Sequence, residues 1–194
     1  ASDVKWDVIA GARILHVAGA LVMPALDGEP MAEVLREGKR RSMITSLDTV
    51  WDATGKWMKT LAPCLPYTDY FMPSLAEAQE ITGQREPRDV AQALRDTGVG
   101  TVALKLGPEG CYVQTADTEL RMPAFSVKAV DGTGSGDAFD AGFLCGVLHG
   151  WDLERTARFA NAVGALCVTA IGATAGVRSM EETEAFMQKA CQAS

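Results

Sequence analysis

The sequence predicts an α/β fold in which helices cover both faces of a mostly parallel central sheet. Two observations predict it. Short, nearly continuous apolar runs, such as residues 101–106, are typical of strands that are buried on both faces. These runs alternate along the chain with longer segments that begin at helix-initiating residues. The 194 residues are enough for one domain with a sizeable core, and neither an internal repeat nor a low-complexity linker interrupts them. We therefore predict a single α/β domain over residues 1–194.

Each predicted element has a local reason. Strands are predicted where an apolar run ends at a turn-forming residue: 13–17, 41–47, 70–72, 101–106, 111–114, and one or two short strands within 120–130, the last ending at 126–130. Helices are predicted where proline or a capping residue precedes a segment that glycine or proline ends: 30–38, 56–65, 74–83, 87–98, 136–148, 153–171 and 179–190. The pattern Ser179-x-x-Glu182 is typical of a capping box, and Asp152 of an N-cap.

Composition and charge exclude several classes of function. The chain is 47% hydrophobic and 22% charged, and its net charge of −7 argues against binding to a nucleic-acid backbone. That charge leaves a local nucleotide site possible. The longest apolar stretch, residues 162–177, is too short to cross a bilayer, and the polar residues 1–7 do not resemble a signal peptide. We expect neither a nucleic-acid nor a membrane partner.

The cysteines and histidines predict neither a disulfide framework nor a zinc site. The five cysteines (64, 111, 145, 167 and 191) are odd in number, and none form a C-x-x-C pair. The two histidines are too few for a histidine-based metal site. The sequence therefore predicts a reducing, cytoplasmic environment.

A glycine-rich loop at residues 131–137 is the strongest candidate for a functional site. Gly132, Gly134 and Gly136 alternate with polar residues, and an apolar helix is predicted to begin near Ser135 or Gly136. The first amides of a helix have no intrahelical acceptor and attract anions, most often phosphate. Asp137 lies in the same first turn, where a carboxylate could act as a base beside the anion. The alternative is a plain glycine turn with a capping aspartate.

Two better-known phosphate-binding motifs do not occur in this sequence. It contains no G-x-x-x-x-G-K-[ST] pattern, which excludes a P-loop. A G-x-G-x-x-G pattern begun at Gly132 or Gly134 meets Asp137 or Phe139 at its last position. The dinucleotide fingerprint is therefore absent as well.

The segment Asp131-Gly132-Thr133-Gly134-Ser135-Gly136-Asp137 resembles the C-terminal signature of the ribokinase (PfkB) family of carbohydrate kinases, D-T-x-G-[AS]-G-D. It departs from that signature at Gly132, where threonine is usual. The resemblance implies a ribokinase-like fold and ATP-dependent phosphorylation of a hydroxyl group on a sugar or sugar derivative. It implies that Asp137 is the catalytic base and that the amides of residues 134–137, among them Gly134, Ser135 and Gly136, stabilise the transferred phosphoryl group.

A second resemblance concerns the segment Pro73-Ser74-Leu75-Ala76-Glu77-Ala78, which is similar to the family's N-x-x-E element with serine in place of asparagine. That element implies that Ser74 lies near the nucleotide and that Glu77 acts on Mg²⁺ through water. From the residues alone, Ser74 and Glu77 form a capping box without further function.

Three further matches complete the implied nucleotide site. The segment Lys105-Leu106-Gly107-Pro108-Glu109-Gly110 resembles the family's T-L-G-x-x-G turn beside ATP, with Lys105 in place of threonine; it also fits a plain hairpin turn. Lys105 either pairs with a phosphate or extends its ammonium to solvent. Asn161 matches the family's asparagine near the adenine, although a buried amide satisfied by the core is the alternative. Asp131 and Thr133 match positions that bind a monovalent cation such as K⁺. Asp140 has no catalytic role in this scheme, and we predict a packed, hydrogen-bonded carboxylate.

The resemblance covers about residues 14–190, and the family's N-terminal Gly-Gly sugar motif and small β lid have no counterpart here. We therefore expect an incomplete chain or a fragment, and a possible homodimer only in the full-length protein. Two alternatives to an active sugar kinase stay open. One is a truncated or inactive nucleotide-binding homologue, and the other is a nucleoside kinase on the same scaffold.

Overall fold

The computed structural model describes the backbone of residues 3–192 and the side chains of residues 3–190. Six strands form one sheet whose spatial order follows the chain order. They are Ile14–Ala20 (β1), Ile44–Thr49 (β2), Tyr70–Phe71 (β3), Thr101–Lys105 (β4), Cys111–Gln114 (β5) and Glu119–Met122 (β6). Strands β1 to β4 pair in parallel. The links from β4 to β5 and from β5 to β6 are too short for a parallel crossover, so these strands run antiparallel. The predicted mostly parallel α/β sheet is confirmed.

Eight α-helices accompany the sheet in the described part of the chain. They are Trp6–Ile9 (α1), Glu29–Arg40 (α2), Met58–Leu61 (α3), Leu75–Thr82 (α4), Pro87–Arg95 (α5), Ser135–His149 (α6), Leu153–Cys167 (α7) and Met180–Gln192 (α8). Two short 3₁₀ turns, Leu65–Tyr67 and Gly107–Glu109, interrupt the connections. None of the described helices is both long and apolar enough to cross a membrane.

The chain divides into two compact units, which are described separately. The first comprises Ala1–Leu104 and Val113–Glu119, and the second comprises Lys105–Tyr112 and Leu120–Ser194. The prediction of a single domain over residues 1–194 stays a prediction. In the first unit, five of the six residues of β2 are buried, as expected for an interior strand covered on both faces. Its largest fully buried side chains include Met31, Leu35, Leu47, Leu61, Phe71 and Leu94.

The second unit is built on α6, α7 and α8. Its core contains the buried Ala138, Phe159, Val163 and Cys167, against which Cys145, Trp151, Met180 and Met187 pack. Helix α6 is apolar on most of its surface, and it buries seven of its residues, Asp140 included. A helix with so little amphipathic character must be enclosed by other elements.

The predicted caps are confirmed, because they depend only on neighbouring residues. The Ser74 hydroxyl accepts from the amide of Glu77, whose carboxylate accepts from the amide of Ser74. Ser179 and Glu182 make the same reciprocal pair at the start of α8. The Asp152 carboxylate accepts from the amide of Arg155 at the start of α7.

The predicted strand at residues 126–130 is wrong. Strand β6 ends at Met122, immediately before Pro123, which has no N–H to donate to a neighbouring strand. Residues 123–130 have no regular structure, and Val130 is 54% exposed although it is apolar. The amides of Val130 and Asp131 donate instead to the carbonyl of Val168. The glycine-rich loop therefore follows an irregular segment and not a strand.

Other boundaries also differ from the predictions. The helix predicted at 56–65 is reduced to the single turn α3 and a 3₁₀ turn, because Pro63 and Pro66 interrupt it. Helix α7 ends at Cys167 and not near Ile171, which is 80% exposed. Strand β2 begins at Ile44 and not at residue 41, since Ser42 has a left-handed φ of 61° that a strand cannot include. Helix α1 lies outside all of the predicted helices.

The loop after β2 is held by one buried carboxylate. Asp52 is 4% exposed, and it accepts hydrogen bonds from the amides of Thr54, Lys56 and Trp57 and from the Thr54 hydroxyl, each 2.7 Å long. These bonds hold Trp57 at a strained φ of 35°. Burial by itself raises the pKa of Asp52, but the hydrogen bonds from Thr54 and from the amides outweigh burial and lower that pKa from 3.8 to about 2.

We expect Asp52→Asn to lower the free energy of unfolding by about 1–3 kcal/mol at neutral pH, because one acceptor oxygen becomes a donor that faces amides. The folded-state pKa lies below the unfolded-state value. The stabilisation is therefore complete above about pH 4 and is lost as the pH falls toward 2. Denaturant unfolding at pH 7, 4 and 2.5 measures this difference.

The exposed Asp117, changed to asparagine, provides the control and is expected to change stability by less than about 0.5 kcal/mol. An unfolding free energy for Asp52→Asn equal to that of the wild type at pH 7 would contradict the assignment.

Candidate nucleotide site

The start of helix α6 presents unpaired amides in the second unit. Gly134 is the N-cap, with a left-handed φ of 76° and no side-chain cap. The Ser135 amide donates to the carbonyl of Gly132, and the Ala138 amide closes the first helical turn on Gly134. Helix geometry leaves the amides of Gly136 and Asp137 without an intrahelical acceptor. Together with the helix dipole, these amides are the donors that the sequence predicts for an anion, and binding of an anion there stays a prediction.

Glycine is required at position 134 by two constraints. Its φ is left-handed, and a Cβ there would stand 2.6 Å from the carbonyl oxygen and 2.7 Å from the Cα of Ala173. The loop can therefore approach the chain after α7 only with no side chain at this position. The departure from the family signature at Gly132 has a different character. No atom lies within 4 Å of a Cβ built there, and its φ is not left-handed.

Asp137 and Asp140 lie on the same helix but in opposite surroundings. Asp137, in the first turn of α6, is exposed. Asp140 is 1% exposed, and its two carboxylate oxygens lie 3.3 and 3.4 Å from the Nζ atom of Lys105. The structure thus confirms the packed carboxylate predicted at Asp140. Asp137 is the carboxylate that an incoming ligand can reach.

Lys105 is paired within the protein, an outcome that neither of its two predicted roles included. Its side chain is 14% exposed, so it does not extend to solvent. A Cβ on Gly136 would lie 3.4 Å from Nζ, which places the ammonium beside the first turn of α6. The ion pair with Asp140 fixes the ammonium near the unpaired amides. Contact with a phosphate stays a prediction.

The Asp131 carboxylate organises the loop itself. Its Oδ1 atom accepts from the amide and hydroxyl of Thr133 at 3.0 and 2.7 Å, and its Oδ2 atom accepts from the amide of Gly172 at 2.9 Å. The Gly172 bond, followed by those from Thr133, lowers the pKa of Asp131. Within the described residues, no group of three His, Cys, Asp or Glu side chains could hold a metal ion. The monovalent cation at Asp131 and Thr133 stays a prediction.

A cavity of about 540 Å³ adjoins the loop in the second unit. This volume is in the range that small-molecule sites occupy. Its lining includes Ser135 and Gly136 at the start of α6, Lys105, the turn residues Gly107, Pro108 and Gly110, the segment residues Ala124, Phe125, Ser126, Val127 and Ala129, and Phe139, Asn161, Gly164, Ala165 and Val168. The structure therefore brings together the predicted residues Lys105, Gly107, Gly110, Ser135, Gly136 and Asn161 around one mostly apolar space.

Asn161 lines this cavity, but its side chain is bonded to the protein. It is 6% exposed, and its Nδ2 atom donates to the carbonyls of Met122 and Pro123, both at 3.1 Å. These contacts match the buried, satisfied amide that the sequence left as an alternative. A role at the adenine stays a prediction.

Ser74 and Glu77 belong to the first unit. They form the capping box of α4, and Glu77 also accepts from the Thr49 hydroxyl at 3.3 Å. Both the Ser74 amide and the Thr49 hydroxyl donate to the Oε2 atom of Glu77. The capping function is confirmed, and the magnesium function of Glu77 and the nucleotide contact of Ser74 stay predictions.

Sequence reasoning missed the irregular segment at residues 124–129 as a wall of the site. It supplies five of the lining residues, and the ring of Phe125 contacts that of Phe186 of α8 in a tilted arrangement, with 5.1 Å between ring centres. The available signal was Pro123, which predicts the end of a strand and not its middle.

The chain belongs to the pfkB family of carbohydrate kinases, whose family model matches residues 1–180. It is 31% identical over 195 aligned residues to the 2-dehydro-3-deoxygluconokinase of Bacillus subtilis, covering 96% of this chain and 60% of that protein. The similarity to solved structures agrees with this family membership. A ribokinase from Thermotoga maritima superposes with a TM-score of 0.80 at 26% identity, over 96% of this chain and 60% of that one.

A further structure is an aminoimidazole riboside kinase from Salmonella enterica, complexed with aminoimidazole riboside and an ATP analogue. It superposes with a TM-score of 0.77 at 26% identity, over 90% of this chain and 62% of that chain. The chain thus spans about three fifths of the length of each of these three proteins. The ribokinase-like fold is confirmed, and the family includes kinases of both sugars and nucleosides.

We expect Gly134→Ala to lower the free energy of unfolding by about 2–4 kcal/mol, because it combines a left-handed residue with a steric clash. Gly132→Thr, which restores the family's usual residue, is the control and should change it by less than about 1 kcal/mol. Urea unfolding followed by circular dichroism measures both. Equal stability of the two variants would contradict the close approach to Ala173.

We expect Asp140→Ala to cost about 3 kcal/mol of stability, since it removes the buried carboxylate that faces the Lys105 ammonium. Asp137→Ala, one turn earlier on the same helix, should cost less than about 1 kcal/mol because that carboxylate is exposed. Thermal and urea unfolding of the two variants test this contrast. Similar losses for both would show that the Lys105–Asp140 pair contributes little.

Proposed function

We propose that this chain provides the nucleotide-binding part of a kinase that transfers the γ-phosphoryl group of ATP to a hydroxyl of a sugar or sugar derivative. One observation carries the proposal. An exposed carboxylate, Asp137, stands in the same helical turn as unpaired amides at the edge of a cavity of suitable size. Membership of the pfkB family supports the same reaction.

In the proposed reaction, Asp137 accepts the proton of the attacking hydroxyl while that oxygen forms a bond to the γ-phosphorus. The bond from phosphorus to the bridging oxygen breaks, and ADP leaves with the electron pair. The amides of Gly136 and Asp137, with the preceding residues Gly134 and Ser135 shaping the loop, neutralise the charge that spreads over the phosphoryl oxygens. Placement and charge neutralisation supply most of the rate enhancement in such transfers.

The apolar part of the cavity fits the base of the nucleotide, and the helix start fits its phosphates. Gly107 and Gly110 form one wall, where the backbone of the turn can approach a ligand closely. Lys105 contributes a positive charge at the phosphate end, held by Asp140 beside Gly136. Asn161 is part of the same lining.

Magnesium fits this scheme as a partner of the phosphates. Mg²⁺ keeps several waters and binds few protein carboxylates. Glu77 is the residue we assign to it, through water, and Ser74 holds that carboxylate by the capping box. When bound, the ion neutralises phosphate charge. Asp131 and Thr133 form the proposed position of a monovalent cation such as K⁺.

The acceptor is either a sugar derivative or, as the second candidate, a nucleoside. The similarity to the ribokinase and to the 2-dehydro-3-deoxygluconokinase supports the first candidate, and the structural similarity to the aminoimidazole riboside kinase supports the second. The four cysteines whose side chains are described are free thiols, which fits a reaction in the reducing cytoplasm. Release of ADP, measured across sugars, keto-deoxy acids and nucleosides with the full-length protein, distinguishes the two acceptor classes.

We expect Asp137→Asn and Asp137→Ala to lower turnover by about 10²–10⁴-fold, because the base is removed while the amides stay in place. Binding of ATP should change by less than about threefold, since the carboxylate acts on the acceptor. Asp152→Asn is the matched control, because it alters a carboxylate at another helix start, and it should keep normal turnover.

Near-normal turnover of Asp137→Ala with ATP bound would overturn the proposed mechanism. Binding of ATP without transfer to any acceptor by the wild-type full-length protein would indicate the inactive nucleotide-binding homologue.

A further inference from the structure

Asn161 of α7 joins two segments that are distant in the sequence. Its amide nitrogen donates to the carbonyls of Met122 and Pro123, so both Nδ2 hydrogens are used by backbone carbonyls. Cys111, which directly follows the turn at residues 107–110, is fully buried. This burial raises the pKa of its thiol to about 12.

These contacts hold the wall of the cavity. Met122 and Pro123 lead directly into the lining segment that begins at Ala124, and Cys111 follows the lining turn that ends at Gly110. The two segments also touch each other, since a Cβ on Gly110 would lie 2.6 Å from the amide nitrogen of Ala124. The buried side chain of Asn161 thus holds the 122–125 segment directly, and it holds the 107–110 turn through the contact of Gly110 with that segment.

The rest of the lining offers little to recognise the edge of a base. Apart from Asn161, its polar side chains are those of Lys105, Ser126 and Ser135. Lys105 and Ser135 lie at the helix start, which is the phosphate end, and Ser126 is exposed. The others are glycine, alanine, valine, proline and phenylalanine. A site of this kind selects by shape and apolar contact, and not by side-chain hydrogen bonds to one base.

We propose that Asn161 is a positioning residue, which holds the 107–110 turn and the 122–125 segment in place and does not itself recognise the base. The chain therefore discriminates weakly among nucleoside triphosphates that carry different bases. This inference rests on the proposed function, because it concerns the same cavity. It differs from the adenine contact that the family resemblance implies for this asparagine.

The first test needs no variant. Dissociation constants of the wild-type chain for ATP, GTP and CTP, measured by titration calorimetry with Mg²⁺, are expected to differ by less than about 100-fold, which is the limit of apolar selection. A preference for ATP of about 10⁴-fold would overturn the proposal, since that magnitude requires hydrogen-bonded recognition of the base. Failure to bind any of the three triphosphates would contradict the proposed function itself.

The second test separates positioning from recognition. Asn161→Ala is expected to weaken ATP and GTP equally, on the order of tenfold, because two wall carbonyls lose their donors. The ratio of the two dissociation constants should stay within about twofold of the wild-type ratio. A tenfold or larger change in that ratio would overturn the proposal, because it would show that Asn161 contacts the base.

Thr156→Val is the matched control on the same helix. Thr156 is 2% exposed and donates to the carbonyl of Asp152, but it does not line the cavity. Loss of the Thr156 hydroxyl should lower the melting temperature without changing the dissociation constant of ATP or of GTP.

The accessibility of Cys111 provides a local measurement of the same wall. Alkylation of Cys111, followed by peptide mass spectrometry, is expected to accelerate at least tenfold in Asn161→Ala and not in Thr156→Val; equal rates would contradict the positioning role.

Discussion

The start of helix α6, where the first amides have no acceptor within the helix, is the constraint on which the second unit depends. Two amides at Gly136 and Asp137 have no acceptor in the helix, and the chain supplies no capping side chain for them. Such a helix start is stable only if solvent or a ligand satisfies its donors. The loop before it is correspondingly rigid, because Asp131 accepts from Thr133 and from Gly172. The backbone of this loop is thus held by its own hydrogen bonds.

The charged side chains near the start of α6 differ in their burial. One carboxylate, Asp140, is buried and pairs with Lys105, while Asp137 on the same helix stays exposed. A buried ion pair carries a desolvation cost that its Coulomb energy offsets only partly, so the pair is weak evidence of a contribution to stability alone. Its location beside Gly136 suggests a different benefit, which is a fixed ammonium close to the amides. An otherwise acidic chain therefore keeps a positive charge fixed at this place.

The cavity walls show how an irregular segment becomes part of a site. Residues 123–130 make no strand, yet they enclose the cavity because Asn161 binds the carbonyls at their beginning and Val168 accepts from the amides at their end. Phe125 adds a ring contact with α8. The backbone polar groups of a segment without regular structure must find partners elsewhere, and here those partners come from helix α7 and the residue that follows it.

The sequence by itself determined the features that arise between close neighbours. The caps at Ser74, Asp152 and Ser179 depend on residues within four positions of one another, and each was predicted. The family signature then indicated the fold and the kinase class. The tertiary structure alone decided the partners of Lys105 and Asn161, which lie 35 and 39 residues away in the chain. It also decided that the apolar residues near Val130 stay outside the sheet. Their amide partner, the carbonyl of Val168, is distant in the sequence and cannot be predicted from the neighbouring residues.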